Sequence, residues 1–176
     1  MIAGRSTPCP LSELIDVVED RLDGGPLVSD LRSAARVHLA FMREPYLGHI
    51  LSGRKTIESR FSVNRVMPFN RVGNGDAILF KRSGGPVEAI AFVACAGLYF
   101  GHPGPANFEE LWEYSAPLQV DAAFWSTVRN ARYATLIWLR NVLAFKPIWI
   151  AKAPGDRRPW IILRDQPQCP PFGEAP

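Results

Sequence analysis

The chain has 176 residues, 47% of them apolar and 21% charged, with a net charge of +3, enough for one hydrophobic core of ordinary domain size. No apolar run approaches the roughly 20 residues of a membrane-spanning helix, and the first ten residues, MIAGRSTPCP, lack the apolar stretch of a secretory signal, so a cytoplasmic protein without a membrane partner is expected. Cys9, Cys95 and Cys169 are odd in number, far apart and free of any C-x-x-C pair, which argues against a disulfide framework or a zinc site; no metal and no cofactor are expected, and Cys95, inside an apolar run, is expected in the core.

In chain order, Leu11, Leu14, Ile15, Val18 and Leu22 recur at helical spacing, and Gly24, Gly25 and Pro26 then supply a stop. Residues 1–36 therefore read as an N-terminal helical extension, with at most one further helical turn between residues 29 and 36. Residues 37–41 suit a first strand. Tyr46, Leu47, Ile50 and Leu51 form a helical pattern opened by Pro45, and Gly53 stands where a left-handed residue ends a helix. Strands follow at 56–61, 76–80, 87–100, 134–145, 148–150 and 160–163. The linker Ser83-Gly84-Gly85-Pro86 lacks the G-K-[ST] of a phosphate loop and lies between strands, so it reads as a hairpin turn.

Asn107, with Glu110 three positions on, is expected to cap a helix running through Tyr114, and Asp121 to cap another holding Phe124, Trp125 and Val128. The large rings Phe92, Trp112, Trp125, Trp138 and Trp149 sit at core spacing and are expected to pack inside. His38 and His102 have no motif around them. Residues 165–176 form a proline-rich tail. Several short strands favour a closed β-barrel at 37–164, an α+β chain that is mainly β with flanking helices.

The charge is unevenly spread. Between residues 54 and 82, Arg54, Lys55, Arg60, Arg65, Arg71, Lys81 and Arg82 face only Glu58 and Asp76, a basic bias of the kind that attracts phosphates. Within that stretch, Gly53-Arg54-Lys55-Thr56-Ile57-Glu58-Ser59-Arg60 reads G-x-K-x-x-E-x-R at a helix-to-strand junction. On a strand, residues two apart share a face, so Thr56, Glu58 and Arg60 line up while Ile57 and Phe61 point away. Glu58 and Arg60 can pair, and Lys55 brings a second cation, with His49 on the preceding helix. A bare internal salt bridge would explain Glu58 and Arg60 alone, but lysine is rarely buried without a partner. Tyr46 or Trp160 offers aromatic surface, and together these groups suit single-stranded or modified nucleotides. A lysine in such a cleft packs little, so Lys55→Ala is expected to leave stability nearly unchanged.

The octet resembles the signature of the ASCH domain at every fixed position. The resemblance extends to the G-D turn and strand Gly75-Asp76-Ala77-Ile78-Leu79-Phe80, and to the closing runs Phe145-Lys146-Pro147-Ile148-Trp149-Ile150 and Arg157-Arg158-Pro159-Trp160, so that residues 37–164 are covered. It implies a closed PUA-like barrel, related to EVE domains, that binds RNA or nucleotides, with Lys55, Glu58 and Arg60 lining the site; with the basic and aromatic groups read above, the expected binding set is Gly53, Arg54, Lys55, Thr56, Glu58, Arg60, Arg65, Lys81 and Trp160. It also implies two alternatives. One is a small metal-independent hydrolase acting on RNA or a modified nucleoside, in which Lys55 matches the family's lysine, while Glu58 and His49, about one helical turn before the octet, are the further candidates that this chain's own spacing offers. Its N4-acetylcytidine-deacetylating members have a threonine where this chain has Glu58. The other is a non-catalytic protein-interaction scaffold.

Overall fold

Leu14 and Val18, one helical turn apart, are both fully buried, and they seat the first helix, α1 (Leu14–Arg21), which a 3₁₀ turn at Leu11–Glu13 introduces. The computed structural model describes residues 8–101, 107–151 and 155–166; Cys169, His102 and the tail from residue 167 lie outside them. Pro26 opens a second helix, α2 (Pro26–Ser33), where the sequence pattern suggested only a stop and one later turn. A proline at the first helical position loses no hydrogen bond, because that N–H has no intrahelical partner. Val28 and Leu31 of α2 join Leu14 and Val18 against Val37, Leu39, Leu79, Ile90 and Phe92 of the sheet. Among the described residues, no helix is long and apolar enough to cross a membrane.

The sheet has six strands: β1 (Arg36–Met42), β2 (Ile57–Ser62), β3 (Ala77–Arg82), β4 (Val87–Phe100), β5 (Tyr133–Ile148) and β6 (Trp160–Asp165), in the order β2-β5-β4-β3-β1-β6. Only β1 and β3 are parallel; the other pairs are antiparallel. The runs expected as separate strands at 134–145 and 148–150 are largely one 16-residue strand that carries Pro147. The Ser83 to Pro86 segment links β3 to β4 with Gly84 at φ +73°, the hairpin turn expected.

The closed barrel expected from the sequence is not formed. The strand order ends at β2 and at β6, and no backbone ladder joins these two edges among the described residues. Register shifts along the β4–β5 ladder mark bulges, which bend strands. The gap that remains is crossed by a side chain: Arg60 of β2 donates from Nη2 to the carbonyl of Phe41 in β1 at 3.2 Å.

Three short helices complete the fold: α3 (Tyr46–Leu51), α4 (Ser115–Leu118) and α5 (Ala122–Thr127). Asp121 caps α5 as expected, accepting from the Phe124 N–H at 2.9 Å. Asn107 does not cap the 3₁₀ segment Glu109–Tyr114. Phe108 holds the cap position, while the Asn107 amide donates to the carbonyls of Val128, Arg129 and Ala131. Cys95 is exposed, not in the core, because β4 leaves the packed interior after Val93. Trp112 and Trp149 are likewise exposed, at 42% and 56%, whereas Phe92 and Trp125 are buried as expected.

Candidate functional site

Gly53 ends α3 with φ +72°, a conformation that strains any residue with a Cβ. Its N–H donates to the Ile50 carbonyl, and two residues on the Lys55 N–H donates to the carbonyl of His49, each at 3.0 Å. This turn sends the Lys55 side chain inward, where it is 3% exposed and its Nζ donates to the carbonyl of Leu118 at the end of α4, 2.9 Å away. The β2 strand then delivers Glu58, also 3% exposed. Its Oε2 lies 3.6 Å from Lys55 Nζ and its Oε1 2.9 Å from Arg60 Nε. The Arg60 contact is close but out of line for a hydrogen bond, since that Nε has no acceptor in good geometry among the described residues. One buried carboxylate thus holds two cations.

Burial pushes the Lys55 pKa down from its ordinary value, because a desolvated ammonium is disfavoured, while the charge and hydrogen-bonding reach of Glu58 pull it back up. The ammonium also lies 5.5 Å from the ring centroid of Tyr46, a cation–π distance.

Arg60 is fixed from below by a second buried chain whose central link, His38, no motif announced. Its guanidinium lies 5.1 Å from the ring of Trp160. The indole Nε1 donates to His38 Nδ1 at 3.1 Å, and His38 Nε2 lies 3.1 Å from Asp76 Oδ2. An indole N–H can only donate, so Nδ1 is the acceptor and the ring proton sits on Nε2, facing the carboxylate. Asp76 accepts further from the N–H groups of Gly73 at 2.8 Å and Arg36 at 3.2 Å. His38, Asp76 and Trp160 are all at most 2% exposed. They form a rigid support under Arg60, and a buried polar chain of this kind is stable only because every member is paired.

Above these groups opens a cavity of about 500 Å³, and it occupies the gap where the barrel fails to close. Lys55, Glu58, Ser59 and Arg60 line it from the β2 side; Phe41, Met42, Arg43, Arg157, Arg158 and Pro159 line it from the β1–β6 side. Tyr46, Ser83, Val120 and Phe124 complete the wall. Among the described residues its cations are Arg43, Lys55, Arg60, Arg157 and Arg158, and Glu58 is the one carboxylate that lines it.

Of the residues singled out in the sequence, Lys55, Glu58, Arg60 and Tyr46 meet in this cavity. The others do not line it. Trp160 is buried and carries Arg60, so it offers no open surface for stacking a base. Lys81, 8% exposed, donates to the carbonyls of Arg82 and Gly85 and so ties the β3–β4 turn. Arg54 is exposed and donates to Ser52 Oγ at 3.1 Å. Thr56 is exposed and Gly53 acts through the backbone. His49 contributes its carbonyl to the turn, and its Nδ1 is buried without a hydrogen-bond partner among the described residues. Arg65 lies 5.3 Å from the ring of Tyr133. The cavity cations missed from the sequence are Arg43 just past β1 and the Arg157-Arg158 doublet just before β6. The doublet was a visible signal; that both segments border the Lys55 turn was not.

Neither a family model nor a curated protein matches the chain. Solved structures do: the crystal structure of ASCH from Zymomonas mobilis superposes with a TM-score of 0.52 at 18% identity, covering 65% of this chain and 73% of that one. The fold is that of an ASCH domain. Two variants of the same Zymomonas mobilis protein, one with a serine replaced by alanine and one with a tyrosine replaced by phenylalanine, match equally well, each at 18% identity and TM-score 0.52, over 65% and 64% of this chain and 74% of theirs. Within this ASCH fold, the octet supplies one wall of the cavity and the segments flanking β1 and β6 supply the facing one.

Proposed function

We propose that the cavity binds RNA or a nucleotide in the cytoplasm, holding phosphate oxygens with the arginines at its mouth and at Arg60. The observation that carries this reading is the charge of the wall: among the described residues Lys55 and Arg60 neutralise Glu58 and Arg158 is held by Asp156 at 2.8 Å, while Arg43 and Arg157 make no ion pair, so the lining keeps a net positive charge. A cavity of about 500 Å³ is of the size that takes a small ligand. The ring of Phe124 in its wall adds an apolar surface, and Tyr46, beside Lys55, a polar-tipped one.

Anisotropy of a labelled single-stranded RNA tests this. Affinity is expected to fall steeply between about 50 and 200 mM salt, since each neutralised phosphate contributes a slope of about −0.7 on single strands. Arg60→Ala is expected to weaken binding and flatten that slope. Absence of binding across a broad RNA panel, or affinity indifferent to salt, refutes the proposal and leaves the scaffold reading.

A hydrolytic role is the second reading, favoured by the buried Lys55 ammonium, which burial makes easier to deprotonate. It requires product from RNA or N4-acetylcytidine without added metal, and loss of that product in Lys55→Met while Arg43→Gln retains it.

A further inference from the structure

At the far end of β2, β4 and β5 the sheet carries a second feature that the cavity does not use. Phe69, Phe100 and Tyr133 form a triangle of edge-to-face rings, with centroids 5.7 Å apart for Phe69 and Phe100, 5.0 Å for Phe69 and Tyr133 and 6.0 Å for Phe100 and Tyr133. Such a cluster is ordinary inside a core, but here Phe100 is 56% exposed and its neighbours Val66 and Leu98 are 51% and 38% exposed. The Arg65 guanidinium lies over the Tyr133 ring at 5.3 Å and makes no ion pair among the described residues.

The register ties this patch to the cavity. Tyr133 pairs with Ser62 on one side and Phe100 on the other, while Arg60 pairs with Thr135. Cross-strand partners share a face, and so do residues two apart, so the rings stand on the same face as Arg60. Two strand steps, about 7 Å, separate Arg60 from Ser62, roughly the advance of one nucleotide along an extended strand.

The charge around the rings is one-sided. The segments that build the patch, 61–75, 97–101 and 128–135, contain Arg65, Arg71, Arg129 and Arg132 and no aspartate or glutamate. Arg71 is committed to Asp165. One exposed ring, Phe100, backed by the half-buried Phe69 and Tyr133 and interleaved with arginine in segments free of carboxylates, is the composition of a surface on which bases of a single strand stack while cations follow its backbone.

We propose that the Phe69–Phe100–Tyr133 cluster, with Arg65, is a stacking platform for single-stranded RNA, extending the strand held in the cavity by one or more bases. This rests on the RNA reading of the cavity, and the experiment separates the two. Anisotropy is measured with an oligouridylate of about four nucleotides and one of about twelve, on wild type, Arg60→Ala, Phe100→Ala, Phe100→Trp and Arg65→Gln.

Phe100→Ala is expected to weaken the longer strand about tenfold, in the range a lost stacking contact produces, and to leave the shorter one unchanged. Phe100→Trp is expected to restore the longer strand, and Arg65→Gln to reduce its salt slope by about 0.7. Arg60→Ala weakens both lengths. If Phe100→Ala changes neither length, as it would were the surface fitted to a protein, the platform is overturned while the cavity stands. Equal weakening of both lengths with loss of thermal stability overturns it too, making the rings structural. A wild type that binds neither oligonucleotide removes both proposals.

Discussion

Replacing Lys55 by methionine removes the buried ammonium while keeping most of the side-chain volume, so the cost reports on its polar partners. Two interactions are lost. The Leu118 carbonyl, which accepts from Nζ at 2.9 Å, is left without that donor, a loss of about 1–3 kcal/mol for a buried group. Glu58 loses a cation at 3.6 Å but keeps Arg60 at 2.9 Å, so the penalty stays below the roughly 3–5 kcal/mol of breaking a buried pair outright. Desolvation of the ammonium, relieved by the substitution, offsets part of this. The net expectation is a destabilisation of about 2–4 kcal/mol, which revises the near-neutral effect that sequence alone suggested for a cleft lysine. Urea unfolding followed by tryptophan emission measures it, alongside Glu58→Gln and the double variant. The double variant is expected to cost at least 1 kcal/mol less than the two singles added, about the coupling of contacting residues. A change in Lys55→Met below about 0.5 kcal/mol, or strict additivity, refutes the buried triad as described.

Burial holds the Lys55 pKa below 10.5, so between that lowered value and 10.5 the unfolded chain carries one more proton than the folded one and stability rises with pH. Wild type is therefore expected to gain stability relative to Lys55→Met as pH climbs through this window and to lose the gain as pH falls through the lowered value; a flat or falling difference in urea midpoints contradicts this. Arg43 and Arg157 are exposed and make no ion pair among the described residues. Arg43→Gln and Arg157→Gln should each lower the RNA salt slope by about 0.7 while changing stability by less than about 0.5 kcal/mol, and an unchanged slope in both places the phosphate elsewhere. His38→Asn keeps an acceptor near the Trp160 N–H, whereas His38→Gln reaches toward Asp76 and leaves the indole unpaired. RNA affinity and Trp160 emission are expected to survive the first and suffer in the second, with about 1–3 kcal/mol of stability, and equal behaviour of the two variants removes the support assigned to His38.

The parts of the site that could be read from the sequence are those whose geometry is local. Gly53 beside an apolar helix dictates a left-handed turn, and the two-residue period of β2 brings Glu58 and Arg60 to one face, as found. The same period placed Thr56 with them, yet Thr56 precedes β2 and is exposed, because the strand begins at Ile57. Trp160 and Lys81 read as ligand residues from aromatic type and from local charge, yet each is committed elsewhere: Trp160 to His38, and Lys81 to the carbonyls of Arg82 and Gly85 at the end of β3 and in its turn.

By itself the sequence determined α1, α3, α5 and most strand positions, though not α2 or the single long β5, together with the octet and the basic bias of residues 54–82, since propensity, period and turn chemistry act over a few residues. Whether the sheet closes was left to tertiary structure, because that depends on the bend accumulated along β4 and β5 and on what stands between two edges. Here Arg60 reaches from the β2 edge to the Phe41 carbonyl of β1 and the Trp160 ring of β6, and the opening beside it brings Arg43 and Arg157, roughly a hundred residues apart in the chain, to one cavity. Coulomb attraction for an anion depends on distance through space, which composition along the chain does not contain.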